Sequence, residues 1–342
     1  MASPETARLS LAAAITLGLK RGRFYRDAKP GCINLLMEYD EGCLANCMYC
    51  GQARSVSLNN PCKNLIRVHW PSYPLREVIR MTEQASSRDR FIQRICIASI
   101  THPRAADDMI LMVEQIRASL DLEVSALITP TIFCKDHLRR LVNLGVNNIT
   151  VAVDTATPEL FHKLRGQGCR GPHTWERYLF ALREIQEVRK NGLPSLGVHL
   201  IAGLGETEEE AICFIQTCYD IGARVHLFSF YPERGSALED RPQPDLMSYR
   251  RIQLGRYLID QGLIRADHMS FTEGNLIDFG LTRVELLDCI RSGIPFMTSG
   301  CPGCNRPYAN ETPGQASVGS FRNYPFPPTK GDIHLIEAQM GF

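Results

Sequence analysis

Three cysteines fall within eight residues in the run Gly42-Cys43-Leu44-Ala45-Asn46-Cys47-Met48-Tyr49-Cys50-Gly51. So short a loop holds its three sulfurs close together, which suits thiolate ligation of one metal centre. Three thiolates leave a four-iron cluster with one iron open to an outside ligand. Zinc is the other metal for such a loop, but it favours paired knuckles and a fourth protein ligand. A knuckle of that kind stands far down the chain, where Cys301-Pro302-Gly303-Cys304 puts two thiols on one tight turn.

The elements that must position these residues are legible in the hydrophobic pattern. Strand-like runs cover Ile33–Asp40, Arg94–Ser99, Glu123–Thr129, Asn148–Asp154, Leu196–Gly203 and Arg224–Phe230. Helical patterns lie near Leu75–Ser87, Arg104–Ser119, Lys135–Leu144, His173–Asn191 and Glu208–Ile221. The alternation predicts βαβ units, a parallel sheet and right-handed crossovers. Thr207 with Glu210 forms a capping box, and Asn191-Gly192 ends the fourth crossover helix. The first cysteine loop directly follows the first strand. A full eight-fold barrel would need two more units, and after Gly262 the pattern breaks down. Three regions result: an N-terminal helical extension over 1–30, a partial barrel over 31–262 and an irregular extension over 263–342.

At the N-terminus, Ser3-Pro4-Glu5 reads as a helix start, with a capping Ser and Pro at the first helical position. The extension holds Pro295, Pro302, Pro307, Pro313, Pro325, Pro327 and Pro328, so neither regular helix nor central strand is expected from about Ile294 onward. A clamp other than a core must order it, and the Cys301/Cys304 turn is the candidate.

Composition excludes whole classes of partner. With 38 Lys+Arg against 37 Asp+Glu, no basic surface is expected for nucleic acid or an anionic membrane. The longest apolar stretch, Leu9 to Leu19, is too short to span a bilayer at roughly 20 residues. Lys20-Arg21-Gly22-Arg23 stands where a signal-peptide cleavage site would be. Thirteen cysteines, an odd number with three crowded together, suit metal ligation in a reducing cytoplasm better than a disulfide framework.

The spacing Cys-x3-Cys-x2-Cys, with Tyr49 before the last cysteine, resembles the signature of the radical S-adenosylmethionine (radical SAM) superfamily. The resemblance implies an α/β partial (βα)6 TIM-like barrel whose first loop carries a [4Fe-4S] cluster on Cys43, Cys47 and Cys50. It also implies that S-adenosylmethionine chelates the open iron. An electron from a low-potential donor such as ferredoxin or flavodoxin cleaves it to methionine and a 5′-deoxyadenosyl radical, which abstracts hydrogen from an unactivated carbon. The cofactor supplies that chemistry, and the barrel positions it and excludes water.

Within that superfamily, residues 31–262 resemble biotin synthase. The carriers are Cys96-Ile97-Ala98-Ser99-Ile100-Thr101-His102-Pro103, the strand ending at Asp154, and Gly203-Leu204-Gly205-Glu206-Thr207. Carried over by position, Ser99 and Thr101 contact the methionine amino group, although the usual Gly-Gly-Glu is absent. Asp154 holds the ribose, Arg165 the carboxylate, and Ile201 and Gly203 flank the adenine, with Tyr49 beside the cofactor. Asp154 reads equally as a helix cap, Arg165 as a solvated charge, and His102 and His199 as structural histidines. Biotin synthase holds a second, sacrificial cluster on strand cysteines. Here Cys96 matches the first, but Ser125 and Gly197 stand at the others, so biotin synthase itself is disfavoured and Cys96 reads as a buried hydrophobe.

The barrel together with the Gly-Cys-Pro-Gly-Cys-Asn-Arg-Pro tail resembles the two-component lipoyl synthases. That resemblance implies sulfur insertion into an octanoyl chain on a carrier protein, a paralogous partner enzyme and a second [4Fe-4S] cluster as sulfur donor. The candidate ligands are Cys32, Cys62, Cys301 and Cys304, with zinc the structural alternative. Ser317 and Ser320 stand where an added serine ligand would be sought. Two other readings remain. One is a biotin-synthase-like maturase, mutase or small-molecule sulfur-inserting enzyme with a zinc or vestigial tail site. The other is a non-enzymatic iron–sulfur partner or sensor. Cys134, Cys169, Cys213, Cys218 and Cys289 are expected to be structural, Cys213 and Cys218 filling the apolar face of their helix.

Overall fold

The computed structural model describes residues 2–57, 64–65, 68–88, 90–306 and 321–342. The chain opens with β1 (Thr6–Leu9) and α1 (Leu11–Thr16), then β2 (Cys32–Leu36) and the single turn α2 (Arg54–Ser57). A hairpin of β3 (Asn64–Leu65) and β4 (Val68–His69) leads to β5 (Ser72–Pro74) and α3 (Leu75–Arg88). The repeating units follow: β6 (Arg94–Ala98), α4 (Ala105–Ser119), β7 (Glu123–Ile128), α5 (Lys135–Asn143), β8 (Val146–Asp154), α6 (Pro158–Leu164), α7 (Trp175–Val188), β9 (Ser195–Ala202), α8 (Glu208–Asp220), β10 (Ala223–Ser229) and α9 (Leu246–Asp260). The hairpin β11 (Ser270–Thr272) and β12 (Asn275–Asp278), then α10 (Arg283–Ser292) and α11 (Lys330–Met340), complete the described chain.

β2 and β6 through β10 pair in parallel in sequence order, as the alternating pattern requires, and β1 joins β2 antiparallel with β5 beyond it. The sheet stays open, with β10 at one edge and β5 at the other. Period-two alternation splits each strand into two rows. One row (Ile33, Leu35, Ile95, Ile97, Val124, Ala126, Ile149, Val151, Val198, Leu200, Val225) is buried in the main core. The other row (Asn34, Cys96, Leu127, Thr150, His199, His226, Phe228) lines one internal cavity of about 310 Å³. Register aligns Asn34, Cys96, Ser125 and Asn148 as neighbours across four strands.

Two expectations are corrected. The N-terminus is not a helix from Ser3: residues Thr6–Leu9 form a buried strand and the helix starts only after Ser10, whose side chain caps Ala13. Pairing with β2 and β5 outweighs the Ser-Pro signal, because it buries Ala7 and Leu9 completely. The proline-rich extension is also not wholly irregular, since α11 forms as soon as its last proline, Pro328, is passed, with Thr329 and Asp332 as a capping box.

The extension is tied to the sheet and to α9 at several points. Ser299 Oγ accepts from the Leu227 amide of edge strand β10 at 2.8 Å. Asn305 accepts from the Gly31 amide at 3.1 Å and donates to the carbonyls of Lys29 and Pro325. The fully buried Arg250 of α9 donates to Phe321 and Arg322 carbonyls and to Gln253 and Gln339. The segment thus runs from the free edge of β10 to the start of β2. Among the described residues no helix is long and apolar enough to cross a membrane.

Candidate active site

The loop after β2 is held from several sides. The Leu44 amide donates to the Thr101 carbonyl at 2.8 Å, and the Thr101 amide in turn faces Cys43 Sγ at 3.4 Å. Met48 is fixed through its amide to Leu164 and through its carbonyl to Leu238. Asn46 donates to the Cys169 carbonyl, while the Gln52 amide faces Cys50 Sγ at 3.4 Å. Arg8 on β1 donates to Gln52 Oε1 at 2.7 Å, so the N-terminal strand supports the cysteine loop.

All three loop cysteines line the cavity. Burial pushes the Cys47 thiol up to about 11, against the opposing charge of Arg165, and burial likewise pushes Cys50 up. Metal binding at this loop must therefore displace protons. Among the described residues no three His, Cys, Asp or Glu side chains already converge to metal-ligand geometry. The donor set nevertheless fits an iron–sulfur cluster: three soft thiols at one lip of a deep cavity, with room beside them.

Asp154 ends β8 with a left-handed backbone, φ 68°. Its carboxylate accepts from Tyr49 Oη at 2.6 Å and pairs with Arg165 at 3.4 Å. Arg165 is buried rather than solvated, and it donates to the Val153 carbonyl and to Tyr178. Asp154 is therefore no simple helix cap; Thr157 performs that office for α6. Ser99 donates to Thr129, and Ser99, Thr101 and Ile201 all line the cavity. Ile201, like Tyr49 and Met48, packs against the small cluster of Leu164, Leu204 and Phe230. Gly203 lies just beyond at φ 104°, where a Cβ would strike Pro244 at 2.7 Å. His173, paired with Thr131 at 2.6 Å, is held neutral, its pKa lowered to about 2 by burial and by Arg165. His102 stacks on Tyr39 at 3.7 Å and reads as structural.

A second group of thiols meets the same cavity from its other end. Cys32 and Cys304 touch: the contact raises Cys32 and lowers Cys304, with Arg306, Asn34 and Arg94 adding to the lowering. Cys96 and Cys301 lie near enough to raise Cys32 and, with Cys304, to act on each other. Cys301 also faces Asn148 Oδ1 at 3.1 Å. The resemblance groups Cys32, Cys62, Cys301 and Cys304 as one set and leaves Cys96 a buried hydrophobe. Instead, Cys96 joins them, because its row of β6 faces inward beside Asn34 of β2. Cys62, Ser317 and Ser320 lie outside the described residues.

Gly197, where the resemblance to biotin synthase would seek a strand cysteine, has no room for one. A Cβ there would come within 2.5 Å of Thr150 Oγ1 and 2.8 Å of His226, so no thiol fits. Of the cysteines assigned to structure, Cys218 is buried, whereas Cys213 is exposed and fills no apolar face. Arg94, Arg306 and His226 escaped the sequence reading. The only signal for them was their position, Arg94 and His226 in the inward rows and Arg306 beside the knuckle.

Residues 37–217, just over half the chain, match the family model of the radical SAM superfamily. The chain belongs to that superfamily. Its sheet and cysteine loop follow that family's plan, which employs a [4Fe-4S] cluster, S-adenosylmethionine and a reductant. No curated protein matches the chain. Among solved structures it is similar to HydG, a maturase of the [FeFe]-hydrogenase, with TM-score 0.52 and 14% identity over 73% of this chain and 53% of that one. HydG from Carboxydothermus hydrogenoformans gives TM-score 0.51 and 16% identity over 73% and 56%. Methylornithine synthase (PylB) gives TM-score 0.48 and 17% identity over 72% and 67%. The chain thus spans about half the length of HydG, and at these identities the likeness is one of fold.

Cys43, Cys47 and Cys50 would hold the cluster, which would supply one-electron reduction of S-adenosylmethionine there. This chain's own residues hold the loop that carries the thiols, surround the cavity with side chains that exclude water, and keep His173 neutral.

Proposed function

We propose that this radical SAM enzyme inserts sulfur at an unactivated carbon of an octanoyl chain borne on a lipoyl carrier protein. It would do so as one of two partner enzymes, in the cytoplasm, with a ferredoxin or flavodoxin as electron donor. The observation that carries the reading is the second thiol set. Cys96, Cys301 and Cys304 line the cavity that also holds Cys43, Cys47 and Cys50, and Cys32 stands behind them against Cys304. A second [4Fe-4S] cluster there would face the space in which a substrate radical forms, as sulfur donation requires. The largely aliphatic and aromatic lining, including Leu36, Leu65, Trp70, Leu127 and Phe230, suits an alkyl chain. In this reading residues 31–262 hold the substrate and 263–342 deliver the second thiol pair. Asp154 and Arg165 serve the ribose and carboxylate of S-adenosylmethionine, Ser99 and Thr101 its amino group, and Tyr49, Ile201 and Gly203 its adenine.

Anaerobic reconstitution of the Cys43→Ala/Cys47→Ala/Cys50→Ala variant tests it. Retention of about four irons with matching sulfide supports a second cluster, and octanoyl-lysine peptide is then the substrate to assay. An iron-free variant that binds zinc would sink the sulfur-donor reading and leave the small-molecule radical enzyme with a structural tail site.

A further inference from the structure

Two guanidiniums, Arg94 and Arg306, act on three of the second-set thiols, Cys96, Cys301 and Cys304. Arg94 is spoken for. It donates to Ser125, Asn147 and the Pro302 carbonyl and lies 3.5 Å from the exposed Glu123. Arg306 has no carboxylate among the described residues. Its single hydrogen bond runs from Nη2 to the Ser299 carbonyl at 3.3 Å, and its Nε is buried without an acceptor. Its guanidinium lies 3.9 Å from the centroid of Phe228 and lines the cavity.

The position is also strained and pinned. Arg306 has φ 32°, in the left-handed region, a cost that persists only where the surroundings enforce it. Asn305 beside it is bound at three points, and Ser299, which receives Nη2, is bound to β10. A rigidly held cation with no carboxylate partner among the described residues, set beside a group of thiols, favours an anionic centre that completes the site. Four thiolates around a [4Fe-4S] core would be a doubly negative centre, matched by Arg94 and Arg306 together.

We propose that Arg306 is a positioning residue for the second cluster, covering its cavity side and donating a hydrogen bond to a sulfur there. The inference rests on the second-cluster reading above and adds to it a named residue and a direction. A cation and an N–H donor beside the sulfurs stabilise the more reduced state, so Arg306 raises the cluster's reduction potential. It also slows the loss of iron.

The test uses the full chain carrying the Cys43→Ala/Cys47→Ala/Cys50→Ala changes, reconstituted anaerobically, with Arg306 wild type, Arg306→Gln or Arg306→Lys. Iron and sulfide are counted, the midpoint potential is followed by electron paramagnetic resonance, iron loss to a chelator is timed and thermal melting is recorded. The expected result is a more negative midpoint for Arg306→Gln and iron loss at least ~10-fold faster. Arg306→Lys should sit between it and wild type, and melting should be unchanged across the series. An unchanged midpoint and unchanged iron loss in Arg306→Gln overturn the proposal while leaving the cluster reading intact. A parent variant without iron overturns both. Should Arg306→Gln not fold, Arg306→Lys decides: faster iron loss at unchanged melting supports the role, and unchanged loss overturns it.

Discussion

Replacing Gly31 by alanine tests the docking of the extension without touching a thiol. A Cβ at Gly31 would lie 2.1 Å from the carbonyl oxygen of Gly303 and 3.1 Å from its carbon. An unstrained contact needs roughly 3.5 Å, so the two backbones must part by more than an ångström, and no rotamer can absorb this. Overpacking of this kind costs about 1–3 kcal/mol. The Gly31 amide bond to Asn305 at 3.1 Å is lost with it, at about 1 kcal/mol. The sum, about 2–4 kcal/mol, corresponds to ~30- to ~1000-fold in the docking equilibrium of the Cys301–Cys304 turn. Limited proteolysis at residues 297–306 should become faster by that order. In the loop-cysteine triple variant, iron retention should fall. Gly331→Ala, whose Cβ meets nothing nearer than Thr329 Oγ1 at 3.9 Å, is the control in the same extension. If Gly31→Ala resists protease and keeps iron as wild type does, the turn is not seated against β2 as described.

Other predictions concern the cavity's walls. Asp154→Asn removes the charge that pairs with buried Arg165 but keeps an oxygen for Tyr49. It should cost about 2–3 kcal/mol by denaturant melting, below the full loss of a buried partner, and weaken S-adenosylmethionine binding in calorimetry. His173 is held neutral, with its pKa lowered from 6.5 to about 2. The unfolded chain therefore takes up the proton first as pH falls, and stability drops below 6.5 by about 1 kcal/mol between pH 7 and 5.5. His173→Gln should flatten that acid limb, and an unchanged slope would refute the assignment. Arg250→Met strips the Phe321 carbonyl of its Arg250 donor and leaves the Arg322 carbonyl to Gln253, and should cost about 2–3 kcal/mol, with hydrogen exchange rising first over 321–342.

The barrel was readable because hydrophobic alternation and helix punctuation are local. Five of the six parallel strands fall within two residues of the runs that predict them, the first ends at Leu36 rather than Asp40, and the Thr207/Glu210 capping box forms as expected. The first cysteine set was readable for the same reason, since its spacing is contained in one loop. What escaped depends on pairing between distant segments. Ser3-Pro4-Glu5 carries a helix signal, yet β2 and β5 convert the following residues to a strand. Cys96 looks like one more apolar residue in a buried strand until register sets it beside Asn34 and Ser125. α11 follows a proline run that argues against helix, and its own Thr329–Asp332 box decides the matter locally.

A cysteine knuckle outside the barrel's strands reaches the barrel's interior because the sheet is open, with a free edge at β10. The extension binds that edge through Ser299 and reaches β2 through Asn305, so it delivers Cys301 and Cys304 from outside to the inward row of the strands. Gly197 is the complementary adjustment, since its missing side chain leaves room for Thr150 and His226. Restoring a cysteine at Gly197 should therefore not recreate a strand ligand. It would press on Thr150 and His226 at 2.5 and 2.8 Å, and the variant should lose stability without gaining iron.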